Sequence, residues 1–231
     1  MNNSGELTPK LKVGVFDSGI GGLSVVDAIK NALPEYEVIF RQDEANFPYG
    51  TREPGRIMRL VEPILQDMVK EGCGVIVIAC NTVTTTSIHL LRHLVPVPLI
   101  GIPPMLEEAV KQTKTGKIAV CATPTVYGSS EYYSLKQRHA ASTTVFEIEC
   151  RDWPYMVGHE IVDDAKIGAR IEEVIEYGAD IIVLAATHYH WIEEKIKYVA
   201  ALHGVTVLQP EEATVTWLRA VLGEPNSMVS Y

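Results

Sequence analysis

The sequence predicts an α/β protein made of two similar three-layer lobes that face each other, each built on a parallel sheet. Three observations carry this. Apolar strand-like runs alternate with helix-like segments along almost the whole chain, the pattern of parallel sheets covered by helices. The stretch Gly72-Cys-Gly-Val-Ile-Val-Ile-Ala-Cys-Asn-Thr82 recurs without a gap as Gly178-Ala-Asp-Ile-Ile-Val-Leu-Ala-Ala-Thr-His188, at about half the chain length, which points to two related lobes. Both copies end in small polar residues, and a parallel sheet keeps its sites at the carboxyl ends of its strands.

In order, Lys12–Phe16 reads as the first strand, leading through Asp17-Ser-Gly-Ile-Gly-Gly22 into a helix to about Leu33. A second strand spans Glu37–Arg41, followed by the loop Asp43–Gly50. The helix Pro54–Glu71 follows from Ile57, Leu60, Val61, Ile64, Leu65 and Met68 at helical spacing. Then come the strand ending at Cys80, a helix over Thr82–Leu94, and a strand near Val97–Ile102. Pro103-Pro104 opens another helix. Strands at Lys117–Cys121, Thr144–Glu149, Ile181–Ala185 and Val205–Leu208 then alternate with helices near Ile161–Tyr177 and Trp191–Leu202. The expected divisions are a tail at 1–11, a first lobe at 12–115 and a second at 116–210. The remainder, 211–231, holds a last helix crossing back to the first lobe and a tail.

Composition narrows the function. The chain has 231 residues, is 47% hydrophobic and carries a net charge of −9. That charge disfavours a nucleic-acid surface, which wants a basic face. No run approaches the roughly 20 apolar residues of a membrane span. Met1–Glu6 lacks a basic-then-apolar signal pattern, so a cytoplasmic protein is expected. The four cysteines form no Cys-x-x-Cys pair, which favours thiols over a zinc ribbon or redox couple. Cys73 and Cys121 lie beside or within apolar strands and read as inert.

Cys80 stands where a strand ends and a helix begins. Helix amides there favour a thiolate and can hold an anionic group. Asp17 and Ser18 share that edge, with a helix-capping role as the plain alternative for Asp17. A phosphate loop is the rival for the glycines, but the Gly-Lys-Ser/Thr ending is missing. Tyr49 and Gly50 offer a hydroxyl and backbone amides in a loop. His188 and His190 could hold a metal, yet no cysteine or acid completes a ligand set by spacing. His89 and His93, four apart on a helix and so sharing one face, read as surface or packing residues. In the repeat, Cys80 aligns with Ala186, Asn81 with Thr187 and Thr82 with His188, so one lobe has a thiol where the other has a methyl group.

Asp17-Ser-Gly-Ile-Gly-Gly22, Phe47-Pro-Tyr-Gly50, Ala79-Cys-Asn-Thr82 and Thr187-His-Tyr189 together resemble glutamate racemase, of the cofactor-independent aspartate/glutamate racemase superfamily. The resemblance runs from about Lys12 to Leu222. It implies pseudo-twofold lobes with the active site between them and no cofactor. The expected reaction interconverts L- and D-glutamate, supplying D-glutamate for peptidoglycan. The partner is then a small amino acid, glutamate or a similar dicarboxylate, with a homodimer as a candidate assembly. Such enzymes use two thiols, one on each face of the α-carbon, the first-lobe thiol serving the D-enantiomer. By position Cys80 matches the first thiol, Asp17 its helper and His188 the helper of the second. Ser18, Tyr49, Gly50, Asn81, Thr82 and Thr187 match groups that hold substrate.

The departures cluster in the second lobe. The pattern Leu-Gly-Cys-Thr-His-Tyr stands here as Leu184-Ala-Ala-Thr-His-Tyr189, so Ala186 replaces the second thiol. Thr123-Pro-Thr-Val126 matches a Thr-Val segment imperfectly, and an acidic position falls on Gly158, with Glu160 nearby. Impaired racemisation is the expected consequence. The alternatives are a non-catalytic amino-acid-binding or regulatory homologue, and a one-base enzyme of exchange or decarboxylation on a related acid.

Overall fold

The computed structural model describes residues 11–150, 153 and 163–223, apart from the side chains of His190 and Trp191. The tails, Gly158 and Glu160 lie outside the described residues.

The first sheet contains β1 (Lys12–Asp17), β2 (Glu37–Gln42), β3 (Cys73–Ile78) and β4 (Leu99–Gly101) in the order β2-β1-β3-β4, all parallel. The second contains β5 (Lys117–Ala122), β6 (Thr144–Ile148), β7 (Ile181–Ala185) and β8 (Thr206–Leu208) in the order β6-β5-β7-β8, again parallel. One order is the other advanced by four strands, so the duplication read from 72–82 and 178–188 extends to the whole sheet. The matched glycines agree in detail. Gly72 has φ +94° and Gly178 φ +82°, a left-handed conformation that only glycine adopts cheaply. Each ends a helix and turns the chain into its central strand.

Helices cover both faces of each sheet. Those of the first half are α1 (Leu23–Ala32), α2 (Pro54–Lys70), α3 (Asn81–Thr86), α4 (Ile88–Leu91) and α5 (Leu106–Gln112). Those of the second half are α6 (Pro124–Tyr127), α7 (Ser130–His139), α8 (Asp164–Tyr177), α9 (His190–Leu202) and α10 (Glu211–Leu222). Strand alternation decides which side chains meet which layer. Phe16, Ile76 and Ile78 pack with Ile57, Val61, Leu65 and Met68 of α2. Val13, Val15, Val75 and Val77 pack on the other face with Val25 and Ile29 of α1 and Leu218 of α10. In the second sheet Ala119, Cys121, Ile182 and Leu184 meet α8 and α9, while Ile118, Val120, Ile181 and Val183 meet Leu106 and Ala109 of α5 and Tyr132 of α7.

The chain therefore passes between the lobes twice. It leaves the first sheet after Gly101 and enters the second lobe's core at Leu106. It returns after Leu208, where α10 packs Leu218 into the first core and Arg219 donates to the Ala32 carbonyl at 2.7 Å. Pro103–Met105 and Leu208–Gln209 line one cleft, so the two crossings lie side by side.

The expected single helix over 82–94 is two helices, broken at Ser87 (φ −134°, ψ −17°). The hydroxyls of Thr85 and Thr86 donate to the carbonyls of Asn81 and Thr82, a back-bonding that loosens and bends helices. His89 and His93 are exposed, and His93 lies beyond the short α4 rather than on a shared helix face.

Candidate active site

In each sheet the strand order reverses beside β1 and beside β5, and clefts form at the carboxyl ends where such a reversal occurs. The residues there are Asp17 at the end of β1 and Ser18 after it, Cys80 to Thr82 after β3, Thr123 after β5, and Ala186 to His188 after β7. The two clefts face each other and close into one pocket of about 240 Å³. Its walls are Ser18, Pro48, Tyr49, Gly50, Cys80, Asn81, Thr82, Ala186, Thr187 and His188. Every site residue expected from the sequence is thus on the wall except Asp17, which sits directly behind Thr187. The space clear of the walls is that of about one water molecule. Two larger clefts, of about 1450 and 1690 Å³, open along α10 around Trp217, but neither is lined by a cysteine.

Asp17 is buried at the end of β1. Its Oδ2 accepts from the Gly22 amide and from Thr187 Oγ1, both at 2.9 Å, while Oδ1 is buried without a hydrogen-bond partner. Burial raises its pKa to about 6, against the lowering by those donors. Asp17 is not the N-cap residue of α1, which is Gly22; its carboxylate holds the Gly22 amide at the helix entry and adds a bond across the lobes.

Cys80 precedes α3, and its Sγ donates to Ser18 Oγ at 3.5 Å. Here the expectation of a thiolate fails. Burial, and then the charge of Asp17, push the thiol up to about 11. The Ser18 hydroxyl and the Val83 and Thr82 amides lower it, as a helix terminus should, but by less. The resting group is a thiol, a proton donor. Cys73 and Cys121 are also buried and also raised by burial, in keeping with their inert reading.

The neighbouring polar groups are largely engaged. Tyr49 donates its hydroxyl to Asp43 Oδ2 at 2.6 Å, leaving only oxygen lone pairs to offer. Asn81 Nδ2 donates to the Ile102 carbonyl at 2.8 Å, tying α3 to the end of β4. Thr82 and Thr123 hydroxyls meet across the lobes at 3.2 Å. The Gly50 carbonyl accepts from Thr125 Oγ1 at 2.7 Å and from its amide at 3.1 Å. Thr123 and Thr125 emerge here as contacts between the lobes; their signal was the imperfect Thr-Val match.

His188 lies in the single helical turn Thr187–Tyr189 after β7. Its ring stands edge-on to Phe47 of the first lobe (5.9 Å) and to Tyr189 (4.5 Å), and Nε2 is buried without a hydrogen-bond partner. Burial lowers its pKa to about 3, so the resting imidazole is neutral.

Gly21, in the turn after β1, was missed as a contact residue. A β-carbon there would stand 2.4 Å from the Thr187 carbonyl carbon, backbone against backbone across the lobes. Gly21→Ala is expected to destabilise the closed arrangement by about 1–3 kcal/mol. Urea denaturation checks this, and an unchanged midpoint would mean the two turns do not touch in solution.

The sequence profile of the Asp/Glu/hydantoin racemase family matches residues 13–218. The glutamate racemase of Herpetosiphon aurantiacus is 33% identical over 193 residues, covering 81% of this chain and 76% of the relative. That of Bifidobacterium adolescentis is 31% identical over 217 residues, covering 91% and 84%. Among solved structures, Escherichia coli glutamate racemase in complex with L-glutamate and the activator UDP-MurNAc-ala superposes with a TM-score of 0.85 at 25% identity, covering 96% of this chain and 87% of that one.

Proposed function

This chain belongs to the Asp/Glu/hydantoin racemase family and is glutamate-racemase-like; from that premise we propose that it moves the α-proton of glutamate by thiol acid–base chemistry and racemises it more slowly than a two-thiol site would. The observation that carries the reading is the pocket wall itself, with Cys80 contributed by one lobe and Ala186 by the other. Inverting a carbon needs proton removal on one face and return on the opposite face. Cys80 is the proton carrier on the D-face, with Asp17 behind the wall as its acid–base helper. The unpartnered Oδ1 of Asp17 and its pKa of about 6 support that role. Ser18, Gly50, Asn81, Thr82 and Thr187 hold the carboxylates and ammonium, and Tyr49 accepts through its phenol oxygen. Ala186 offers no proton, and loss of a positioned donor costs about 10²–10⁴-fold in rate. His188, by position the helper of a second thiol, lies on the same wall as Ala186.

No helix among the described residues is long and apolar enough to cross a membrane, and they contain no cluster of three or more metal-ligating side chains. The E. coli relative binds L-glutamate, which supports glutamate as the small-molecule partner here.

The test is incubation with D- and L-glutamate in heavy water, following α-proton loss by NMR and configuration by chiral chromatography. Exchange of D-glutamate exceeding net racemisation is expected. Measurable glutamate binding with no exchange of either enantiomer would replace this reading with a non-catalytic binding homologue.

A further inference from the structure

The second lobe contributes three residues to the pocket wall: Ala186, Thr187 and His188. Thr187 bonds Asp17 through a neutral hydroxyl, which can hold a substrate group but is too weak a base to take the α-proton, and Ala186 ends in a methyl group. That leaves His188, whose ring nitrogen Nε2 is buried in the pocket wall with no hydrogen bond. An unsatisfied buried nitrogen costs free energy unless something arrives to meet it. The ring is also held firmly. Phe47 and Tyr189 flank it, and the Tyr189 hydroxyl is fixed in turn by Cys150 Sγ at 3.1 Å and its ring by Trp153 at 5.2 Å.

Resting on the reading of Cys80 as the thiol of one face, we propose that His188 is a catalytic residue that exchanges the proton directly on the other face, making this a thiol–imidazole site in place of a thiol–thiol one. In the L-to-D direction the α C–H bond of L-glutamate breaks and its proton goes to the lone pair of Nε2, giving an imidazolium. The bonding pair stays on the α-carbon and spreads into the adjoining carboxylate. The Cys80 S–H bond then breaks, its proton forms the new C–H bond on the opposite face, and a thiolate remains. Proton transfer from imidazolium to solvent and from solvent to thiolate restores the start. No oxidant or further reactant enters. The resting protonation fits the first half of this cycle, since burial keeps the imidazole neutral and the Cys80 thiol protonated.

The experiment measures α-proton exchange of each enantiomer in heavy water for His188→Gln and His188→Ala. The expected result is a loss of L-glutamate exchange of about 10²–10⁴-fold, with D-glutamate exchange through Cys80 largely kept. That retained exchange shows the pocket is folded. Free imidazole added to His188→Ala should restore L-glutamate exchange in a saturable way, which a residue acting only through packing would not allow. Undiminished L-glutamate exchange in His188→Gln overturns the proposal, as does loss of both enantiomers' exchange with no response to imidazole. If the unsubstituted protein exchanges neither enantiomer, or Cys80→Ala leaves D-glutamate exchange intact, the underlying reading of the site falls as well.

Discussion

Replacing Cys80 with alanine is expected to lower D-glutamate exchange by about 10²–10⁴-fold and to bring net racemisation below detection. Cys80 is the thiol on the pocket wall, and its proton has one side-chain neighbour to bond with, the Ser18 hydroxyl at 3.5 Å. Removing the sulfur takes away the acid–base partner proposed for Asp17 and clears nothing else, because the backbone bonds at the start of α3 do not depend on the side chain. L-glutamate exchange should survive in this variant, since the opposite wall is untouched. The measurement is the pair of exchange rates by NMR, with circular dichroism as the check on folding. A Cys80→Ala protein that still exchanges D-glutamate at the original rate would remove the thiol from the mechanism.

The opposite change should have the opposite effect. Ala186→Cys restores a proton donor at the position that the duplication pairs with Cys80, and racemisation should rise by about 10²–10⁴-fold. The substitution adds a single sulfur to a small side chain on the pocket wall, beside the Thr187–Asp17 bond. Both directions are followed by chiral chromatography at saturating glutamate. If the rate does not move although glutamate still binds, the other departures in the second lobe, and not the missing thiol, set the limit.

Much of this was legible in the chain. The gapless match of 72–82 with 178–188 foretold the duplicated sheets, because the paired glycines end equivalent helices and the paired apolar runs fill equivalent central strands. It also foretold that positions 80 and 186 would share a wall. What could not be read was depth. A helix start after Cys80 is visible locally and argues for a thiolate, but the desolvation that outweighs it depends on the whole lobe around the thiol. The break at Ser87 turns on which carbonyls the threonine hydroxyls choose, a matter decided by packing. Helix α7 escaped because its residues are mostly polar and α6 because it is a single four-residue turn, and only the Thr123 and Ser129 caps betray them. Gly21 looks like any turn glycine until the other lobe is in place.

The side-by-side crossings at Pro103–Met105 and Leu208–Gln209 have a mechanical consequence. A single tether would let the lobes twist and slide as well as part. Two adjacent tethers leave one easy motion, a swing about the line through them, and hold the rest of the relative freedom frozen before any ligand arrives. Admitting glutamate to a pocket with room for one water requires that swing, at the expense of the Thr82–Thr123, Gly50–Thr125 and Asp17–Thr187 bonds. Closing again has little configurational entropy left to lose. In the proposed reaction, more of the binding energy then remains for holding the α-carbon in place for proton transfer.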